Sequence, residues 1–213
     1  VSVLLMLGLA LVMFKGLASA SETPDPSGAN TGNASDLGLK DPAAPTLQEV
    51  ADAVGHAKVS INFTWVLICG FLVMFMQAGF ALVEVGFTRA KNAAHTMTMN
   101  VMAYAIGMLA FWACGFALQM GGVGALGTLG GDAMLNKEFT VNIAGHAFGL
   151  FGMKGFFLSG QSLSVGIMAM FLFQMVFMDT TVTIPTGALA ERWKFKSCIL
   201  LRICIGAIIY PIF

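Results

Sequence analysis

The sequence has few charged residues, and this scarcity sets its class. Only 10% of the 213 residues are Asp, Glu, Lys or Arg, whereas 57% are hydrophobic. Soluble globular domains carry about 25% charged residues, so the chain is predicted to be a membrane protein in contact with a lipid bilayer. Basic and acidic residues balance at 11 each, which gives no reason to expect nucleic acid or an anionic membrane surface as a partner.

Cysteine, histidine and catalytic motifs are also scarce. The four cysteines lack paired C-x-x-C spacing, so neither a disulfide framework nor a zinc site is predicted. The three histidines are scattered, and G-x-S-x-G, H-E-x-x-H and phosphate-loop motifs are absent from the sequence. GVGALG at 122–127 satisfies G-x-G-x-x-G but follows a membrane span instead of a strand, which favours a glycine-rich turn. We therefore expect no enzymatic activity, no metal and no cofactor.

The N-terminal segment is predicted to be a signal peptide at residues 1–20. Its apolar stretch VSVLLMLGLALVMF falls short of the roughly 20 residues of a spanning helix, and LASA gives the small-x-small cleavage pattern. Residues 21–61 are then an external Pro/Gly/Ser/Asn-rich linker and a short amphipathic helix. Thr46 and Glu49 are spaced as a capping box at the start of that helix.

Residues 62–213 contain three full spans and the beginning of a fourth. Apolar runs at about 63–87, 97–120 and 163–190 are long enough to cross a bilayer, and 197–213 is at the lower end of the range. The chain is therefore expected to be truncated in its fourth span. Basic residues in the turns after the first and third spans place both turns in the cytoplasm, and thus the N-terminus outside.

Four of the polar residues within the apolar runs are singled out as possible structural residues, because burial of a polar group in hydrocarbon is costly. Gln77 and Glu84 are seven residues apart on one face of the first span, where helix packing is the favoured role over direct transport. Asp179 in the third span needs a partner, which Thr side chains of its own helix or Arg202 can supply. Arg202 can also extend its charged group to the cytoplasmic end of its span.

The third span carries two phenylalanines in the segment FQMVFMD at 173–179. At about 100° per residue, Phe173 and Phe177 share a face with Ile184, while Asp179 lies nearly opposite Phe177. The aromatic rings and the carboxylate cannot both line one conduit. From spacing alone, ordinary packing is the favoured interpretation of the two rings.

Two segments nevertheless resemble a known family. MQAGFALVEVGFTRAKNA at 76–93 and FQMVFMDTTVTIPTGALAERWKF at 173–195 are similar to the ammonium transporter family (Amt/Mep/Rh), in its bacterial Amt branch. The resemblance extends from about residue 62 to residue 213. It implies an all-α polytopic membrane protein, of which this chain supplies the N-terminal four spans of an eleven-span Amt-type bundle.

The resemblance also implies a function and its residues. Phe173 and Phe177 match the phenylalanines of the external recruitment site and gate, through which ammonium or ammonia crosses the bacterial inner membrane. It further implies a homotrimer when complete and a cytoplasmic PII-type regulator as a possible partner. The family's recruitment tryptophan and pore histidines are not matched within these residues, so the chain alone is expected not to transport. The alternative function is an ammonium-sensing membrane domain of a signalling protein.

Overall fold

The computed structural model describes residues 41, 44, 46–124, 127–129, 135–143, 146–159 and 164–213. The predicted signal peptide and residues 21–40 of the predicted linker lie outside the described residues. The chain divides into two units that meet in sequence between Asn62 and Phe63.

The first helix, α1, runs from Leu47 to Phe87. It begins with the predicted capping box: the Glu49 amide donates to the Thr46 hydroxyl (3.3 Å), and the Thr46 amide donates to the Glu49 carboxylate (3.0 Å). A short helix followed by a separate span was predicted, but the structure has one helix of 41 residues. No proline interrupts residues 47–87, so the backbone hydrogen bonds continue through the predicted junction.

Three further helices are long and apolar enough to cross a membrane: α2, Ala90–Met120; α3, Val165–Ala188; and α4, Phe195–Ile212. Their ends agree with the predicted spans to within a few residues, except that α2 begins earlier. The side chain of Ser164 caps α3 by accepting the amide of Ile167 at 3.3 Å. Pro185 lies in the last turn of α3, and the helix continues to Ala188.

Small residues let α2 approach α3 and α4 closely. A Cβ on Gly107 would lie 3.1 Å from the sulfur of Met178 in α3, and one on Gly206 would lie 3.0 Å from the carbonyl oxygen of Gly107. Gly115 abuts the carbonyl of Gly206. Where α2 and α4 cross, both helices have a π-helical turn: Phe111–Gly115 in α2 and Ile205–Ile209 in α4. Gly107 and Gly115 of α2 thus form part of a helix-packing surface.

The connection between α2 and α3 contains a β-hairpin that the sequence analysis did not predict. Strand β1, Glu138–Ile143, pairs antiparallel with β2, His146–Gly152, with a bulge between Phe139 and Thr140. Gly152 of β2 abuts the carbonyl of Ala117 near the end of α2. Glycines at 149 and 152 mask the β-strand alternation in the sequence, because glycine is depleted in strands.

Candidate functional site

The two phenylalanines of α3 lie on its open face, which we define as Phe173, Phe177 and Ile184. The ring centroids of Phe173 and Phe177 are 5.0 Å apart with an interplanar angle of 60°. Phe177 is 38% exposed and Ile184 58% exposed. Phe173 is half-buried because its ring lies against α1, where a Cβ on Gly70 would be 3.9 Å away. The structure thus brings together the two residues that the sequence singled out.

The opposite side of α3 is its packed face, which we define as Asp179, Thr183 and Thr186. These three side chains are at most 4% exposed. Asp179 follows Phe177 by two residues, which places the two side chains about 200° apart around the helix axis, as predicted from the sequence. The carboxylate of Asp179 is therefore buried on the side of α3 that faces away from the Phe177 ring.

A chain of hydrogen bonds crosses from the packed face to α1 and α2. The hydroxyl of Thr183 donates to Oε1 of Gln77 (2.9 Å), and Nε2 of Gln77 donates to the backbone carbonyl of Asn100 (2.9 Å). Nδ2 of Asn100 then donates to Oε2 of Glu84 (2.7 Å). Gln77 and Glu84 therefore contact neighbouring helices, which is the geometry that a packing role requires.

Arg202 of α4 is 1% exposed and lies against the same face of α3. Its Nη2 donates to the hydroxyl of Thr186 at 3.1 Å. The expected direct pair with Asp179 is not formed. Among the described residues, the ion pair with a nitrogen–oxygen distance within 4.0 Å joins Arg89 to Glu191. The alternative, a guanidinium extended to the helix end, is also wrong, since this side chain is buried. Thr186 offers a hydroxyl acceptor one helical turn nearer the end of α3 than Thr183, and Arg202 takes that partner.

An exposed clamp, formed by Arg89, Asn92 and Glu191, joins the turn after α1 to the turn after α3. The carboxylate of Glu191 accepts from the backbone amide of Arg89, from its Nε, and from Nδ2 of Asn92, each at 2.9 Å. The hydrogen bonds from Asn92 and from the Arg89 amide hold the pKa of the Glu191 carboxyl below its ordinary 4.5. The clamp also fixes Glu191 in a left-handed backbone conformation (φ +64°), which non-glycine residues seldom adopt.

A cleft of about 410 Å³ opens beside this clamp at the ends of α1 and α3. Glu84, Glu191 and Arg192 contribute its charged groups. Glu84 is buried overall (8% exposed) and contributes to the wall of this cleft. The cleft is distinct from the open face of α3.

Several polar contacts were not predicted from the sequence. Asn100 is fully buried, and its position within the apolar run of α2 is the signal that could have found it. Oε1 of Gln174, beside Phe173, accepts from the hydroxyl of Tyr210 (3.2 Å) and from Nε2 of Gln119 (3.5 Å). Among the described residues, His, Cys, Asp and Glu side chains form no group of three that could hold a metal ion.

The fold and the site together define a class of protein. The chain is a multi-pass helical membrane protein whose third span has an aromatic open face and a polar packed face. It belongs to the Ammonium Transporter Family, whose model matches residues 64–213. The family resemblance of the two sequence segments is thereby confirmed, and the bacterial branch stays a prediction.

Curated relatives agree with this family. The chain is 41% identical to the ammonium transporter Amt2 of Archaeoglobus fulgidus over 80% of its own length, 35% identical to a putative ammonium transporter of Synechocystis over 72%, and 34% identical to the ammonium transporter Amt1 of Haloferax mediterranei over 71%. It covers 30%, 24% and 25% of those proteins, respectively. The chain thus spans less than a third of the relatives that it matches.

Proposed function

We propose that the protein moves ammonium or ammonia across a membrane without covalent chemistry. The observation that carries this proposal is the open face of α3 in a chain that belongs to a family of ammonium transporters. There, the rings of Phe173 and Phe177 contact each other, and Phe177 is accessible on a helix whose other side is buried. The names of the relatives support ammonium as the substrate.

The aromatic rings account for recruitment and release in physical terms. The negative face of a phenylalanine ring attracts a cation by about 0.5–2 kcal/mol, depending on how far both are desolvated. That attraction is enough to concentrate ammonium at the gate and weak enough to let it leave, as conduction requires. Phe173 lies one helical turn nearer the external end of α3, so an ion that enters from outside meets it first and then reaches Phe177, the more accessible ring.

The setting of this activity follows from the same considerations. We place the protein in a bacterial inner membrane on the family resemblance. We place its N-terminus outside because basic residues lie in or directly beside the turns after α1 and α3: Arg89, Lys91, Arg192, Lys194 and Lys196. We propose a homotrimer as the working assembly and a PII-type protein as a regulator at the cytoplasmic side. Residues 1–213 alone are expected not to transport, since four spans do not enclose the pore of the family.

Uptake measurements test this proposal. The protein is expressed from its whole reading frame in cells that lack ammonium uptake, and the entry of labelled methylammonium is measured beside the same cells expressing residues 1–213. We expect saturable uptake, inhibited by ammonium, from the first and none from the second. A folded protein that binds ammonium without uptake would overturn transport in favour of the sensor. Uptake by residues 1–213 would overturn the expectation for the shorter chain.

A further inference from the structure

Gln174 of α3 is joined by hydrogen bonds to two neighbouring helices. Its Oε1 accepts from the hydroxyl of Tyr210 in α4 at 3.2 Å and, at the longer distance of 3.5 Å, from Nε2 of Gln119 in α2. Gln174 follows Phe173 directly in the sequence and precedes Phe177 by three residues. At about 1.5 Å and 100° per residue, it lies between the two phenylalanines along the helix axis and about 60° from Phe177 around it. The polar contact is therefore beside the open face and at the same level.

The hydroxyl of Tyr210 is held in place by buried aromatic rings. The Tyr210 ring lies edge-on to Phe111 of α2, with centroids 5.9 Å apart, and Phe111 stacks on Phe171 of α3 at 5.8 Å. Phe111 is 0% exposed and Phe171 is 2% exposed. Side chains in a closely packed interior have little room to move, so the donor to Gln174 has a fixed position.

Two further hydrogen bonds hold α3 to its neighbours, and both are distant from the rings. Thr183 and Thr186 make them on the packed face, six and nine residues beyond Phe177. At about 1.5 Å per residue, these contacts are about 9 and 14 Å further along the helix. Apolar contacts are not directional, whereas hydrogen bonds require a narrow range of angles. Gln174 is therefore well placed to fix the rotation of α3 about its axis at the level of Phe173 and Phe177.

We propose that Gln174 is a positioning residue for the gate, because its hydrogen bonds to Tyr210 and Gln119 set the direction of the Phe177 ring. The inference rests on the proposed function. A ring attracts a cation that lies over its face, so the attraction depends on where that face points. Phe173 is also held by its contact with α1, whereas Phe177 is 38% exposed and depends more on the rotation of α3. Loss of the hydrogen bonds therefore weakens recruitment of the cation.

Tyr210→Phe is the first test, made in the protein expressed from its whole reading frame. The variant keeps the ring that packs against Phe111 and removes the hydroxyl that donates to Gln174. Thr183→Val is the matched control, because it removes a hydroxyl that donates to a glutamine on the packed face. The half-saturating concentration (KM) and the maximal rate of methylammonium uptake are measured per folded molecule.

We expect Tyr210→Phe to raise the KM with little change in the maximal rate. The rise is about two- to thirtyfold, where the upper limit is loss of the whole attraction between ring and cation. Thr183→Val keeps the KM of the wild type. A wild-type KM in Tyr210→Phe, or an equal rise in both variants, would overturn the proposal.

A double variant tests whether Gln174 acts through the ring of Phe177. If it does, Tyr210→Phe has no further effect once Phe177→Leu has removed the ring, and the KM of the double variant equals that of Phe177→Leu alone. A purely structural role predicts the same rise in KM with and without the ring, since effects of independent sites add in free energy. Full additivity would therefore contradict the positioning role.

Fluorine NMR separates this inference from the proposed function. A para-fluorophenylalanine replaces Phe177 alone, and its signal in nanodiscs reports the surroundings of the ring whether or not the protein transports. We expect the signal to shift or broaden in Tyr210→Phe and in Gln119→Leu, which removes the weaker donor, and to stay unchanged in Thr183→Val. Unchanged signals in all three variants would overturn the positioning role. If the wild type lacks uptake but its signal moves in Tyr210→Phe, transport is overturned and the positioning of the ring by Gln174 is supported.

Discussion

The two sides of α3 differ in burial and in the contacts that their side chains make. On the packed face, Asp179, Thr183 and Thr186 are buried, and the two hydroxyls are hydrogen-bonded to side chains of neighbouring helices. On the open face, Phe173 and Phe177 contact each other, and Phe177 remains accessible. The buried hydroxyls of this span hold helices together, whereas the open face leaves the Phe177 ring accessible, as the proposed contact with a substrate requires.

The largest expected effect comes from Arg202→Met, which removes the positive charge from the packed face. Asp179 and Glu84 then remain buried without a compensating positive charge on α4, and a buried carboxylate left uncompensated is destabilised by several kcal/mol. We expect a large loss of thermal stability and of correctly folded protein, measured by size-exclusion profiles after heating. Lys196→Met is the control, because Lys196 is exposed. Equal stability of the two variants would contradict the assigned role of Arg202.

A smaller loss is expected from Gly115→Ala at the crossing of α2 and α4. An added Cβ meets the carbonyl of Gly206 and lies 3.2 Å from Pro211, and overpacking of this kind costs about 1–3 kcal/mol. Gly79→Ala is the matched control, since a Cβ at Gly79 meets nothing within 4 Å. Melting temperatures of both variants in detergent check the prediction. If Gly115→Ala were as stable as Gly79→Ala, the close crossing would be wrong.

Two substitutions of Phe177 test whether its aromatic ring, and not only its volume, matters on the open face. Phe177→Leu keeps an apolar side chain but removes the aromatic ring, whereas Phe177→Tyr keeps the ring. Loss of about 0.5–2 kcal/mol of cation attraction lowers uptake by roughly two- to thirtyfold for the leucine variant. Initial methylammonium uptake per folded molecule is the measurement. Retention of full uptake by Phe177→Leu would show that the ring acts by volume alone.

The smallest effect is expected at the exposed clamp, through its pH dependence. Because the folded protein lowers the pKa of Glu191 below its ordinary 4.5, the carboxylate contributes stability above pH 4.5, and that contribution is lost as the pH falls through the lower folded value. The melting-temperature difference between wild type and Glu191→Gln should therefore be small at neutral pH and vanish in acid. A difference that grows as the pH falls would contradict the clamp.

Much of the helical framework could be predicted from the sequence, because long apolar runs identify membrane spans. The capping box at Thr46 was also predicted, since it depends on residues three positions apart. The continuity of α1 was not predicted, because the amino-acid composition changes at the predicted junction although the backbone stays helical. The β-hairpin between α2 and α3 was missed because its glycines interrupt the strand pattern.

The candidate site could be predicted in part. The placement of Phe177 and Asp179 on different sides of α3 could be predicted from helical periodicity, because both residues lie on the same helix. The partner of Arg202 could not be predicted, since it depends on which helices are neighbours and how far along them the side chain reaches. For the same reason, the three hydrogen bonds at Glu191 were missed: they join residues about 100 positions apart in sequence.

The most direct test of the account measures uptake per folded molecule and melting temperature together for Phe177→Ala and Thr183→Val, made in the protein expressed from its whole reading frame. Thr183→Val keeps the shape of the side chain but leaves Oε1 of Gln77 without its donor, a loss of about 1–3 kcal/mol. The account predicts that Phe177→Ala lowers uptake with little change in melting temperature, and that Thr183→Val lowers the melting temperature with uptake per molecule unchanged. The opposite pattern, or the same pattern in both variants, would contradict the division of α3 into an open face and a packed face.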